Sequence, residues 1–545
     1  MKKIVFFIVA LVFISCKNDK SENNSEEVQV KSDSTTNVEE IEFKQVDPKI
    51  IDNDSLWKPF EADLSEFSTE VYEEVKALVF EKSIPEIQQA INEDKLTYEE
   101  LSLFYLTRIS EYDRENEFSL NSVISLNPNL IKEAREKDQQ KSKVSNQHPI
   151  FGIPVLLKDN INTTAMPTTA GSVALQNNQT EDAFIVKRLK ENGALILGKA
   201  NLSEWANFFC EGCPNGFSTL GGQTLNPYGR KVHDTGGSSS GSGVAVAANI
   251  APVAVGSETS GSILSPASSN SVVGIKPTIG VLSRGGIVPI SSTLDTPGPI
   301  TKFVVDNAIL LDAMAGVDNA DPASRTSEKK QGNYYSNLEK TDLKGKRLGA
   351  IKALMEDSLY VRAINDLKNA GAEIVEFESE DIDLPNFLRL LNLDMKKDLP
   401  AYLKNYGGEV GYKNVQDVVA YNDEDSSNRA PYGQALFLGI VKDSASEKEF
   451  AAIKDTLKRN GTTFFEKPMK EHNLDAVLSI NNYHAGYAAV AKYPAITVPM
   501  GYTSENKPMG LTIIGKPFTE EQLLQFAYIF EKNSKRRKTP VNYNE

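Results

Sequence analysis

Gly236-Gly237-Ser238-Ser239-Ser240-Gly241-Ser242-Gly243 runs without a break into Val244-Ala245-Val246-Ala247-Ala248, and soon after into Pro252-Val253-Ala254-Val255-Gly256. A glycine-rich turn that feeds a small apolar helix leaves several backbone N–H groups free at the helix start, a geometry suited to anions or oxyanions. A flexible linker seldom continues into such a helix and strand, and a phosphate-binding P-loop does not fit because no Gly-Lys-Ser/Thr follows. The strand-like end of this stretch has counterparts upstream in Gly152-Ile153-Pro154-Val155-Leu156-Leu157 and in Ala194-Leu195-Ile196-Leu197-Gly198. Short apolar runs bounded by Gly and Pro suit strands buried on both faces, and their alternation with helical stretches implies an α/β layered sheet. Ahead of them, Pro85 suits a first helical turn, and Thr97 with Glu100 matches a capping box before Leu101, Phe104 and Ile109, which predicts an N-terminal helical layer.

The composition sets limits on function. Of 545 residues, 40% are hydrophobic and 24% charged, close to a soluble globular average. Lys and Arg number 59 against 74 Asp and Glu, a net charge of −15 that repels a nucleic-acid backbone unless basic residues cluster; the only basic run is the short 535–538 segment. Three cysteines and four histidines leave little material for a disulfide framework or a His-rich metal centre. Chemistry in this chain is therefore expected to run on oxygen and nitrogen side chains, without metal or cofactor.

At the N-terminus, Lys2 and Lys3 precede the apolar run 4–14, which is far short of the ~20 residues that cross a bilayer and reads as a secretory signal. Phe13-Ile14-Ser15-Cys16 resembles a bacterial lipobox with Phe13 in place of the usual Leu. Residues 1–15 are thus expected to be a signal peptide, with Cys16 lipidated on the cell envelope, most simply at the outer membrane. Residues 16–58 are polar enough to read as a disordered tether. Residues 59–545 contain no linker and read as one domain, with a polar, tyrosine-scattered stretch near 394–449 as a candidate lid.

Three places could carry chemistry. The first is the loop 236–243, which formally satisfies the G-x-S-x-G nucleophile elbow, with His472 or His484 downstream as base, although a Ser/Gly-saturated stretch matches by composition. The S-x-x-K pattern occurs at Ser327/Lys330 and Ser504/Lys507 and is equally unspecific. The second is Gly256-Ser257-Glu258-Thr259-Ser260-Gly261-Ser262-Ile263, whose Ser262 would sit at the mouth of a loop after a strand. The third is Lys158, closing an apolar strand: it either snorkels to the surface or is buried, and burial lowers an ammonium pKa toward the range of a general base.

Taken together, 152–160 (Gly-Ile-Pro-Val-Leu-Leu-Lys-Asp-Asn), the 236–243 loop, and Thr259-Ser260-Gly261-Ser262-Ile263, with 24 residues between Ser238 and Ser262, resemble the amidase signature family. The likeness extends from about residue 80 to 540 and takes in the segments 193–207, 274–278 and 493–499. Trp205-Ala206-Asn207 and Gly221-Gly222-Gln223-Thr224 are most similar to bacterial peptide amidases.

That resemblance implies a large mixed, twisted β-sheet sandwiched between helical layers, and a Ser-cisSer-Lys triad formed by Ser262, Ser238 and Lys158. It implies an oxyanion hole from the N–H groups of Thr259, Ser260, Gly261 and Ser262, support from Ser239, and a cis bond between Gly237 and Ser238. The implied activity is hydrolysis of C-terminal peptide amides or related small amides through an acyl-enzyme, not cleavage of peptide backbones. Two departures stand out: Ser260 replaces a common glycine, and Leu264 stands where Arg is common, which puts recognition of an acidic group in doubt. Cys210 and Cys213 are read as a local disulfide or two inert thiols, and His233 and His484 as structural or pocket-lining. Two rivals remain: a transamidase-type subunit, or an envelope protein that binds amides without turnover.

Overall fold

The computed structural model describes residues 40–49, 51–114, 116–141, 147–325 and 333–544. The apolar runs read from the sequence become β2 and its neighbours in a sheet of eleven strands. The strands in chain order are β1 Val123–Leu126, β2 Pro154–Lys158, β3 Leu195–Ala200, β4 Phe217–Ser218, β5 Gly222–Gln223, β6 Val253–Glu258, β7 Val273–Lys276, β8 Thr296–Thr301, β9 Arg347–Ile351, β10 Glu373–Phe377, β11 Ala476–Ile480, β12 Ala495–Tyr502 and β13 Pro508–Ile514. The large sheet has the order β1-β3-β2-β6-β8-β7-β12-β13-β11-β9-β10, and β4 and β5 form a separate hairpin. It is mixed: β3, β2 and β6 run parallel, as do β11, β9 and β10, while β8, β7, β12 and β13 pair antiparallel.

Every residue of β2, β3 and β6 is buried, as expected for strands covered on both faces. The helix Ser240–Ala247, buried along its whole length, packs against β6, β2, β3 and β8. Both expected N-terminal helices are present. Ile84–Asn92 opens on a Ser83/Glu86 capping box with Pro85 in its first turn, and Tyr98–Tyr112 opens on Thr97/Glu100. The polar stretch that reads as a lid is helical: Phe387–Asn405, Val415–Asp423 and Ala435–Lys442, followed by the long helix Glu447–Glu471.

The N-terminal boundary differs from expectation. The signal segment and Cys16 lie outside the described residues, but the part of the expected tether from residue 40 onward is bound to the body and forms one unit with it. Val46 O accepts from Gln223 N at 2.8 Å and from Asn121 Nδ2 at 3.0 Å, and Lys44 N donates to Tyr432 Oη at 2.8 Å. Phe43, Val46, Leu56 and Trp57 pack on the core. Polar average composition concealed these few apolar anchors, each of which finds its own groove.

Close strand packing leaves no room at Gly298 in β8. A Cβ there would stand 2.2 Å from Ile275 O and 2.9 Å from Ile263 Cδ1, next to Ser262. Gly298→Ala should therefore destabilise the protein by about 1–3 kcal/mol, read as a lower midpoint in urea unfolding.

Candidate active site

Lys158 ends β2, flanked by β3 and β6, and its side chain is fully buried. Its Nζ donates to Ser238 Oγ at 2.7 Å and to Ser257 O at 3.0 Å. Burial drives its pKa down from the usual lysine range to about 7, opposed by the charges of Asp295 and Glu258. Three other lysines are buried as deeply, Lys199, Lys276 and Lys302, and Lys302 Nζ has no hydrogen-bond partner among the described residues. Lys199 is committed to Asp159 at 2.9 Å and to Thr168 Oγ1 at 2.9 Å, and Lys276 reaches only Pro277 O, at 3.4 Å. None of the three hydrogen-bonds the serine loops, so the Lys158–Ser238 hydrogen bond distinguishes Lys158.

Ser238 lies in the turn leading into the helix Ser240–Ala247, and the Gly237–Ser238 bond is cis. Ser238 O accepts from Ser203 N at 3.1 Å, and Gly241 N donates to Asn201 O at 3.0 Å, so the segment after β3 cradles the turn. Gly236, at φ +66°, has no space for a side chain, because a Cβ would lie 2.7 Å from Pro266 N. Ser239 joins this turn to the next loop: its N donates to Ser262 O at 3.2 Å, and its Oγ donates to Ser257 O at 3.1 Å and accepts from Ser257 N at 3.2 Å.

The loop after β6 is held at both ends by carboxylates whose roles were not legible in the sequence. Thr259 Oγ1 donates to Asp295 Oδ1 at 2.6 Å, and Asp295 Oδ2 accepts from Ile290 N and Ser291 N at 2.9 and 2.8 Å. Glu258 Oε2 accepts from Ile263 N at 2.8 Å and Leu264 N at 3.0 Å. Between these anchors, the N–H groups of Thr259, Ser260, Gly261 and Ser262 have no hydrogen-bond partner among the described residues. Gly261 adopts φ +85°, a conformation that favours glycine. Four consecutive unengaged amides beside a serine are the donor set that stabilises a developing oxyanion.

A cavity of about 260 Å³ adjoins this loop, bounded by Asn160, Ser257, Thr259, Arg284, Asp295 and Tyr402 among others. Ser262 is not on its wall; it lies three residues beyond Thr259 along the same loop and is 9% exposed. The helix Phe387–Asn405 covers the cavity with Asp398, Ala401 and Tyr402. Tyr402 Oη donates to Asn162 Oδ1 at 2.7 Å, tying this helix to the segment after Lys158.

The histidine-based elbow does not form. His484 Nδ1 is 2.6 Å from Ser479 Oγ and stacks on Phe464, and His472 lies against Phe377 with its backbone O accepting from Arg347 Nε; His233 Nε2 lies 3.1 Å from Glu505 O, and none of the three lines the cavity. Of the S-x-x-K matches named above, Ser327/Lys330 lies outside the described residues and Ser504/Lys507 is an exposed turn. Cys210 and Cys213 are joined to each other as a disulfide. The basic run 535–538 is no patch, since Arg536 pairs with Asp366 and Arg537 with Glu81.

The mixed sheet, the buried lysine on a serine and the neighbouring glycine-serine loop define a class, the amidase signature hydrolases. The chain belongs to the amidase family, whose sequence model matches residues 100–479, and is an amidase, a hydrolase of amide bonds. It is similar to a probable amidase of Arabidopsis thaliana, 39% identical over 84% of this chain and 91% of the relative. An amidase family protein from Bacillus anthracis superposes with a TM-score of 0.86 at 38% identity, covering 91% of this chain and 99% of that one. The native peptide amidase of Stenotrophomonas maltophilia does so with a TM-score of 0.80 at 37% identity, covering 85% and 98%.

The contacts around Lys158 generate a measurable expectation. In NMR of Nζ-labelled lysine, Lys158 should titrate near pH 7. Removing the Asp295 charge in Asp295→Asn should move that titration to lower pH, because the lost anion favoured the ammonium form.

Proposed function

We propose that this amidase hydrolyses C-terminal peptide amides and related small amides through Ser262, Ser238 and Lys158, outside the cytoplasm and anchored through lipidated Cys16. The observation that carries the catalytic part is Lys158 Nζ, fully buried and 2.7 Å from Ser238 Oγ, beside four unengaged amides. The peptide-amide part is supported by the 37% identity to a peptide amidase. The envelope part is supported by the basic, apolar and Ser15-Cys16 pattern of residues 2–16.

In this reading, neutral Lys158 accepts the Ser238 hydroxyl proton while Ser238 accepts that of Ser262, and Ser262 Oγ attacks the amide carbonyl carbon. The oxygen of the tetrahedral intermediate is stabilised by the N–H groups of Thr259, Ser260, Gly261 and Ser262. Collapse breaks the C–N bond as Ser238 returns a proton to the departing nitrogen. Water, deprotonated by the same relay, then attacks the acyl ester and restores Ser262. Ser239 supports both loops through Ser257 and Ser262.

The decisive test is ammonia release from an N-blocked, C-terminally amidated dipeptide. Ser262→Ala should lower kcat by about 10⁴-fold or more, and retention of substantial activity would remove Ser262 as nucleophile. Only neutral Lys158 accepts a proton, so kcat/KM should climb with pH up to about 7 and level off above it. Lys158→Ala should lose both the rate and this limb. For the anchor, incorporation of a labelled fatty acid by the full chain should vanish in Cys16→Ala; a cytosolic, unlabelled protein would instead favour the transamidase-type reading.

A further inference from the structure

The cavity beside Thr259 has an imbalance of charge, of which the proposed chemistry uses only the action of Asp295 on Lys158 and the Thr259 loop. Three carboxylates line it, Asp295, Asp321 and Asp398, against one cation, Arg284. Arg284 is spent: its Nε donates to Asp321 Oδ2 at 2.9 Å, its Nη2 to Asp321 Oδ1 at 2.5 Å, and its Nη1 to Ser292 O. That bidentate pair cancels itself. Asp295 and Asp398 form no salt bridge among the described residues; Asp295 acts on Lys158, and Lys454 on Asp398, only through space. Asp295 accepts only from Thr259, Ile290 and Ser291, and Asp398 accepts from Ser292 N at 2.6 Å and from the Ser292 side chain.

The lysines nearby are occupied or elsewhere. Lys454 pairs with Asp394 at 3.0 Å, and Lys454 and Lys492 line a separate hollow with residues 292–294. Burial raises the pKa of both carboxylates, that of Asp295 to about 6, because each has lost water without gaining a direct ion-pair partner, Lys454 acting on Asp398 only through space. A cation entering this space would supply what they lack. Part of the wall is apolar, with Ile287, Val288, Pro289, Ile290 and Pro297 suited to an alkyl stem. At the other end of the oxyanion loop, Leu264 is fully buried in an apolar cluster, so the position offers no cation to an acidic substrate.

The geometry points to a cation-selecting subsite: Asp398 on the roofing helix, with Asp295 facing the same cavity, receives a protonated amine or guanidinium carried on an aliphatic stem of the substrate. Amides of short peptides with a lysine- or arginine-type side chain are thereby turned over in preference to neutral isosteres and to acidic peptides. This deepens the peptide-amide reading and rests on it.

The test compares kcat/KM for ammonia release from N-acetyl dipeptide amides that carry lysine, norleucine or glutamate at either position, with the mature protein and two variants. For wild type the lysine-to-norleucine ratio should be roughly tenfold at the position that enters the cavity, as expected for a partly desolvated charge pair. That ratio should shrink as salt is raised. In Asp398→Asn, which keeps an oxygen to accept from Ser292 N, the ratio should fall to near one, and in Asp398→Lys the glutamate amide should overtake the lysine amide. Equal rates for lysine and norleucine amides in wild type, or a ratio unchanged in both variants, would overturn the subsite while leaving the peptide-amide reading intact. No ammonia from any of the three amides would overturn that reading and the subsite with it.

Discussion

A lysine ammonium deprived of water is the constraint around which this structure is arranged. Transferring such a charge to a protein interior costs several kcal/mol even after relaxation, unless it is paired or sheds its proton. Lys199 meets that cost with a direct partner, Asp159, at 2.9 Å. Lys158 does not: its contacts are a hydroxyl and a carbonyl, and the carboxylates of Asp295 and Glu258 act on it only through space. The same side chain type, buried to the same extent on two adjacent strands, is thus salt-bridged to a carboxylate in one case and hydrogen-bonded only to neutral groups in the other. The difference lies in whether a carboxylate is within bonding distance.

Those two carboxylates also determine the shape of the loop that carries Ser262. Asp295 holds it by Thr259, and Glu258 holds it by the amides of Ile263 and Leu264. Unpaired buried amides are costly and rare, yet four in succession are left free between these anchors. The charge that shapes the loop is the charge that moderates Lys158, so loop geometry and proton affinity are coupled through the same residues. β8 contributes to this arrangement by passing so close to β7 and Ile263 that only glycine fits at position 298.

The cavity is completed by chain from far away in sequence. The helix Phe387–Asn405 is pinned to the segment after Lys158 through Tyr402 and Asn162, and brings Asp398 to the wall opposite the apolar 287–290 segment. The N-terminal strap reaches the same roofing region, through Lys44 and Tyr432. The walls of the cavity therefore come in part from chain that shares no local pattern with the loops of the proposed chemistry.

Local features were legible in the sequence. The apolar runs ending at Lys158, Gly198 and Gly256 appear as β2, β3 and β6, and Pro85 and the capping box at Thr97 mark the starts of the helices they predict, because pleat, helix period and cap depend on residues a few positions apart. The glycine-serine loops and the lysine were readable for the same reason, as motifs of fixed spacing. Tertiary structure alone decided which of four buried lysines meets Ser238, that no histidine hydrogen-bonds Ser238 or Ser262, and that Asp295 and Glu258 clamp the loop. It also decided that residues 40–57 belong to the folded body and that Asp398 faces the cavity. These contacts join residues tens to hundreds of positions apart, so they exist only once the sheet order has closed, and no local pattern encodes the distance between them.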